Sequence, residues 1–158
     1  MDCLRAGVHR ATRAGIHGSQ IHGTYSIVIS GGYQDDYDKG ETIIYTGAGG
    51  QDVSTNERTH MQTSDQRLDH PHNAALVKSL EFGHRRKVRV IRGSKLGSKF
   101  APGTMFVFYR YDGLYTVTHV SVHYIAALIH HRADLVWACS SSRGKVYMDS
   151  TYLSSSSR

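Results

Sequence analysis

Residues 25–52, YSIVISGGYQDDYDKGETIIYTGAGGQD, set two tyrosines, Tyr33 and Tyr45, around an acidic cluster, with Ser30, Gly31, Gly32, Gly47, Ala48, Gly49 and Gly50 at the turns. Two aromatic faces, a carboxylate and closely approaching backbone are the parts needed to grip a flat, polar, aminated ring. A cytosine removed from its stack is such a ring: its exocyclic amine donates to a carboxylate, whereas thymine presents an acceptor there. Stacking on an aromatic side chain contributes roughly 1–3 kcal/mol per base, enough to offset much of the unstacking.

Competing constellations are weaker. GAGG at 47–50 lacks the following Gly-Lys-Ser/Thr of a phosphate loop. His60, His70, His72 and His84 follow no zinc-ligand spacing, and neither cysteine is near them. Asp35 and Asp36 could be metal ligands of a nuclease, but no basic residue stands at a nuclease-like spacing, and no Ser, Cys or His has a recognisable partner for covalent catalysis. The expectation is therefore no catalytic residue, no metal and no cofactor.

The elements that must position the tyrosines read as follows. Residues 25–30 alternate and are rich in β-branched types, and residues 41–46 centre on Ile43, Ile44 and Tyr45; both read as strands. Residues 31–40 and 47–60 read as polar, glycine-anchored loops, and residues 1–23 as turn-rich. Residues 62–82 are helical territory, with Asn73 as a cap just after Pro71. Residues 87–92 alternate basic and apolar types, a strand with one wet face. Residues 105–111 and 114–120 read as two strands around a turn at Asp112 and Gly113. This order describes one α+β domain of mostly strands. Its 158 residues, 39% hydrophobic, leave room for one core. Nineteen Lys and Arg against thirteen Asp and Glu, net +6, favour an anionic partner. Cys3 and Cys139 form no disulfide framework, and no apolar run approaches the ~20 residues of a membrane span. The expectation is an intracellular, soluble chain with no membrane partner.

In these segments the chain resembles the SRA domain, also called the YDG or SET-and-RING-associated domain. The matching strings are AGVHRATRAGIHG (6–18), YSIVISGGYQDDYDKGE (25–41), YTGAGGQD (45–52), NERT (56–59), QTSDQRL (62–68), KVRVIRG (87–93), SKFAP (98–102) and RYDGLYTV (110–117), in the family's order over about residues 6–120. The resemblance implies a PUA-like twisted β-barrel with flanking helices that binds double-stranded methylated DNA and reads 5-methylcytosine by base flipping. It assigns Tyr33 and Tyr45 to the two faces of the flipped ring, Asp36 to its amine, Thr46 to its Watson–Crick edge, and Ser30, Gly31 and Gly32 to the wall beside the methyl. Ser30 stands where an alanine is frequent, which places a hydroxyl near that methyl. Arg58 and Asn56 match a major-groove finger that fills the vacated stack, and Arg13 lies in the matching thumb loop. Arg10, Lys87, Arg89, Arg92, Lys95 and Lys99 are phosphate contacts on this reading, or a wet strand face.

The family's setting implies the nucleus, a chromatin role, and histone or ubiquitin-ligase machinery reached through other domains. Two alternatives stay open: the targeting domain of a modification-dependent nuclease or histone-modifying enzyme, and a degenerate interaction module without DNA binding. The chain starts at Met1-Asp2-Cys3, inside the family's first strand, and the resemblance fades after Val120. The expected domain is thus 1–137, incomplete at both ends and atypical over 121–134, followed by a disordered Ser-rich tail, 138–158.

Overall fold

The computed structural model of the chain describes residues 3–33, 36–49, 66–103, 108–121 and 145–149, with backbone alone at Ser121 and over the last five. Its strands are β1 (Ile16–Ser19), β2 (Gly23–Ile29), β3 (Tyr37–Asp38), β4 (Thr42–Thr46), β5 (Val88–Gly93), β6 (Tyr109–Ser121) and β7 (Lys145–Asp149). One helix, α1 (Pro71–Phe82), and a 3-10 turn (Gly83–Arg85) precede β5. The strands form a mixed sheet in the order β1-β2-β5-β6-β7-β4-β3. β2 and β5 run parallel, and the other described pairings are antiparallel. The α+β class expected from the sequence is what is observed.

The alternation in β2, β4 and β5 converges on one core of Ile16, Ile27, Ile29, Ile43, Tyr45, Leu76, Val88, Val90, Leu96, Tyr115 and Val117. α1 packs on β1, β2 and β6. Its first residue, Pro71, has the backbone angle a helix start needs and no N–H to leave unpaired. The cap is His70, whose ring accepts from the His72 N–H, and not Asn73 as the sequence suggested. Asn73 is already inside the helix and buried, its amide turned to the loop after β4. The other side of β2 is closed by polar groups: the Ser79 hydroxyl accepts from Thr24 N–H at 2.7 Å, and His9 meets the Ser26 hydroxyl at 2.8 Å. His9 also bonds the Ala14 carbonyl, so Nε2 carries the proton and Nδ1 accepts. Burial, with a smaller contribution from the nearby Arg89 charge, holds its pKa below the ordinary histidine value and keeps the ring neutral.

Three readings need correction. The turn-rich stretch 1–23 contains β1, which pairs with β2 through a register shift between His17 and Gly18. The two strands expected around Asp112 and Gly113 are a single strand, β6. Ile91 pairs with Tyr111 and Val90 with Gly113, leaving Asp112 as an extra residue. The Asp-Gly pair makes a β-bulge, not a hairpin, and Gly113 takes the positive φ of 108° that it requires. Finally, the disorder expected over 138–158 does not extend to Lys145–Asp149, which forms β7 between β4 and β6.

The bulge aims Asp112 at a buried arginine. The Arg92 guanidinium makes paired bonds to Asp38 (Nε to Oδ2 2.9 Å, Nη2 to Oδ1 2.7 Å) and a third to Asp112 at 3.0 Å. It also donates to the Gly40 carbonyl and the Tyr115 hydroxyl. The Arg92 and Asp38 side chains are 4% and 1% exposed, so Arg92 is not the phosphate contact expected of a wet strand face. Burial opposes the Arg92 charge, but hydrogen bonds with Asp38, Tyr115 and Asp112 outweigh it and hold its pKa above the ordinary value. Burial likewise works against the Asp38 carboxylate, and Arg92, the Gly40 N–H and Ser98 overcome it, lowering its pKa.

Arg92→Leu leaves the Asp38 carboxylate buried without its counter-charge and is expected to destabilise the fold by about 3–5 kcal/mol in urea unfolding. A loss below about 1 kcal/mol would show that the network contributes little.

Candidate functional site

After β2 the chain turns through Ser30, Gly31 and Gly32 into the segment that carries Tyr33 and Asp36. Gly31 has a positive φ of 76°, and a Cβ there would lie 2.7 Å from the Lys95 carbonyl. This loop and the loop after β5 therefore touch backbone to backbone, as only glycine allows. Between them opens a cavity of about 610 Å³, lined on one side by Gly31, Tyr33 and Asp36 and on the other by residues 95–100. That volume is typical of small-molecule sites, about 300–1,000 Å³. Lys39, Lys95 and Lys99 are exposed and line the same cavity, giving it a positive border.

The Asp36 carboxylate is held in place: Oδ1 accepts the Thr46 N–H at 2.8 Å, tying the β2–β3 loop to the end of β4. Tyr33 is half-buried, and its pKa is raised by burial and then by the Asp36 charge. The Tyr45 phenol is pushed well above its ordinary value by burial, with Asp36 and Tyr33 adding to the effect. The structure thus gathers Tyr33, Asp36, Tyr45 and Thr46. It does not leave both rings open, however. Tyr33 lines the cavity, whereas Tyr45 is 2% exposed and belongs to the hydrophobic core, on the same face of β4 as Ile43. Thr46 is 1% exposed, and its hydroxyl has no hydrogen-bond partner among the described residues. A buried hydroxyl left unpaired is costly.

Ser30 is half-buried against Gly93, and Gly32 is half-buried as well. Arg10 and Arg13 are exposed in the loop before β1. Lys87 donates to the Thr116 hydroxyl at 2.8 Å and Arg89 to the Val8 carbonyl at 2.9 Å, so both spend at least one donor inside the fold. Lys99 is exposed, its ammonium 5.0 Å from the centre of the Phe100 ring. Asn56, Arg58, Asp35 and His60 lie outside the described residues, as do residues 121–134 apart from the Ser121 backbone. Among the described residues no group of three His, Cys, Asp or Glu could hold a metal ion, and no helix is long and apolar enough to cross a membrane.

The sequence reading missed the supports of this site. Composition and spacing give Asp38, Asn73 and Gln66 no part in it, and count Arg92 with the wet strand face. Strand parity separates Arg92 from that face: in β5, Arg92 shares its face with Val88 and Val90, not with Lys87 and Arg89.

The family model for the SAD/SRA domain matches residues 1–125. The chain belongs to the SAD/SRA family. It is 50% identical over 123 residues to a UHRF1-like protein of Cryptococcus neoformans var. grubii, a match covering 74% of this chain and 34% of the relative. It is 42% identical over 125 residues to the E3 ubiquitin-protein ligase UHRF1 of Rattus norvegicus, covering 71% of this chain and 16% of the ligase. The chain therefore spans about a third or less of the length of these relatives.

Among solved structures, the modification-dependent TagI restriction endonuclease superposes with a TM-score of 0.72 at 36% identity, over 95% of this chain and 46% of that one. The SRA domain of SUVH5 bound to fully methylated CG DNA superposes with a TM-score of 0.60 at 29% identity, over 93% of this chain and 80% of that one. The SAD/SRA fold is PUA-like, as the resemblance implied.

Because the Thr46 hydroxyl is buried without a partner among the described residues, Thr46→Val is expected to leave the thermal midpoint unchanged or slightly raised. A fall of several degrees would mean that the hydroxyl is bonded within the fold.

Proposed function

We propose that this domain is a non-enzymatic reader that flips 5-methylcytosine out of CpG-containing duplex DNA and holds it beside Asp36. The observation that carries this reading is the fixed Asp36 carboxylate, flanked by Tyr33 and Tyr45, at a basic cavity in an SAD/SRA fold. Asp36 accepts the cytosine amine, which excludes thymine. Tyr33 supplies the open stacking face. Tyr45 becomes the second face as the base enters, and the unpaired Thr46 hydroxyl bonds the Watson–Crick edge. Ser30, Gly31 and Gly32 leave room for the methyl. Arg58 fills the vacated stack, Asn56 senses the opposite strand, and Arg13 approaches the minor groove. Arg10, Lys87, Arg89 and Lys99 contact phosphates, adding salt-dependent affinity without sequence preference. Support comes from the SUVH5 SRA domain, whose structures hold methylated CG DNA.

The same reading places the protein in the nucleus, where other parts of a longer chain or partner proteins would supply any ubiquitin-ligase or histone-directed activity. A second reading, the targeting domain of a modification-dependent nuclease, is favoured by the similarity to TagI. Cleavage of methylated plasmid by the pure chain with a divalent metal would support a nuclease and refute a pure reader.

Asp36→Ala and Tyr45→Ala are each expected to abolish the preference for methylated over unmodified duplex while leaving weak binding that falls steeply with salt. Persistent preference in both variants would mean that the pocket has been misplaced.

A further inference from the structure

Two arginines stand on a short loop that is pinned at both ends. Residues 10–13, with Arg10 and Arg13 exposed, connect His9 to Ala14. At the entrance the Arg89 guanidinium donates to the Val8 carbonyl at 2.9 Å. His9 follows, 4% exposed, with both ring nitrogens engaged. Its Nε2 donates across the loop to the Ala14 carbonyl at 2.9 Å, and its Nδ1 accepts from the Ser26 hydroxyl of β2 at 2.8 Å. At the exit the Gly15 carbonyl accepts the Val28 N–H, again from β2, at 2.8 Å. One imidazole therefore closes the loop on itself and fastens it to the strand that leads into the pocket loop.

The arginine loop ends against the pocket. A Cβ on Gly15 would lie 2.6 Å from the Tyr45 hydroxyl, so the backbone two residues after Arg13 rests on that phenol. Residues 3–33 include no Asp or Glu, and neither Arg10 nor Arg13 has an ion pair among the described residues. Two guanidinium groups without counter-charges, held beside the site, are suited to phosphate oxygens. Fixing their loop before DNA arrives lowers the ordering cost of binding.

We infer that His9 is a positioning residue, holding the 10–13 loop so that Arg10 and Arg13 meet the phosphates that flank the extruded base. This rests on the reader function proposed above. His9 touches no DNA on this account; it acts through the loop that it closes.

His9→Phe keeps a ring of similar size and loses both bonds, whereas His9→Gln keeps one donor and one acceptor. His9→Phe is expected to weaken binding of a methylated CpG duplex and of its unmodified counterpart by the same factor, about tenfold, leaving the methyl preference in place. The slope of log affinity against log salt is expected to become shallower by about 1–2, as one or two phosphate contacts are lost. His9→Gln is expected to lose less of both. In a background carrying Arg10→Ala and Arg13→Ala, His9→Phe is expected to weaken duplex binding by less than about twofold, because the groups that it positions are gone.

An unchanged affinity or salt slope, a lost methyl preference, a loss in His9→Gln as large as in His9→Phe, or a full tenfold loss in the background without the arginines would each overturn the inference. So would failure of both His9 variants to fold, which would make His9 a purely structural residue. The reader function fails separately: wild-type protein would then bind methylated and unmodified duplexes alike, while the salt slopes still report on His9.

Discussion

The Arg92–Asp38 pair is the constraint on which the site depends. Asp38 lies two residues after Asp36, in the two-residue strand β3 at the edge of the described sheet. So short an edge strand has little pairing of its own to hold it. What holds it is a guanidinium from β5, bonded twice to the Asp38 carboxylate and again to the Gly40 carbonyl. Ser98 donates to the same carboxylate at 2.8 Å, which ties the opposite wall of the cavity to the same point. Both cavity walls are thus referred to one buried charge. Replacing such a pair with well-packed apolar residues can be neutral for stability, while removing one partner is severe. The network is better understood as fixing one geometry for the pocket loop than as a reserve of stability.

The bulge in β6 belongs to the same system. Asp112, the inserted residue, brings its carboxylate to Arg92, while Arg110 holds the other side of the carboxylate and bonds the Phe100 carbonyl. Tyr115, beyond the bulge, donates to the Gly40 carbonyl at 2.7 Å. The Tyr-Asp-Gly triplet therefore acts at a distance from the cavity, through the shape it gives one strand.

Much of the frame was legible because it follows from periodicity. The strands β2, β4 and β5 were found within two residues of their ends, as was the carboxyl end of the helix, and the pocket loop was recognised by the types it carries. The supports were not legible, for physical reasons that differ. Arg92 was counted with Lys87 and Arg89 by composition, although parity puts it with Val88 and Val90; a buried charge is ruled out by propensity unless its partners are known, and Asp38 and Asp112 are remote in sequence. Asn73 has the signature of a cap, but Pro71 fixes the helix start earlier and leaves the amide free to face the β4 loop. Asp-Gly signals a hairpin, yet β5 pairs with both flanks and keeps them in line. Tyr45 was read both as a strand's apolar centre and as a stacking face; the first describes its place in the core, and the second is the proposal.

The central claim is that this fold holds a cytosine by its amine and its methyl. An equilibrium titration of the wild-type chain at fixed salt with unmodified, hemimethylated, fully methylated and hydroxymethylated CpG duplexes tests it most directly. The account predicts that methylated duplexes bind at least about fourfold tighter than unmodified DNA, the worth of one buried methyl at about 0.8 kcal/mol, with Ser30 setting where hydroxymethylcytosine falls between them. Equal affinity for all four would contradict it.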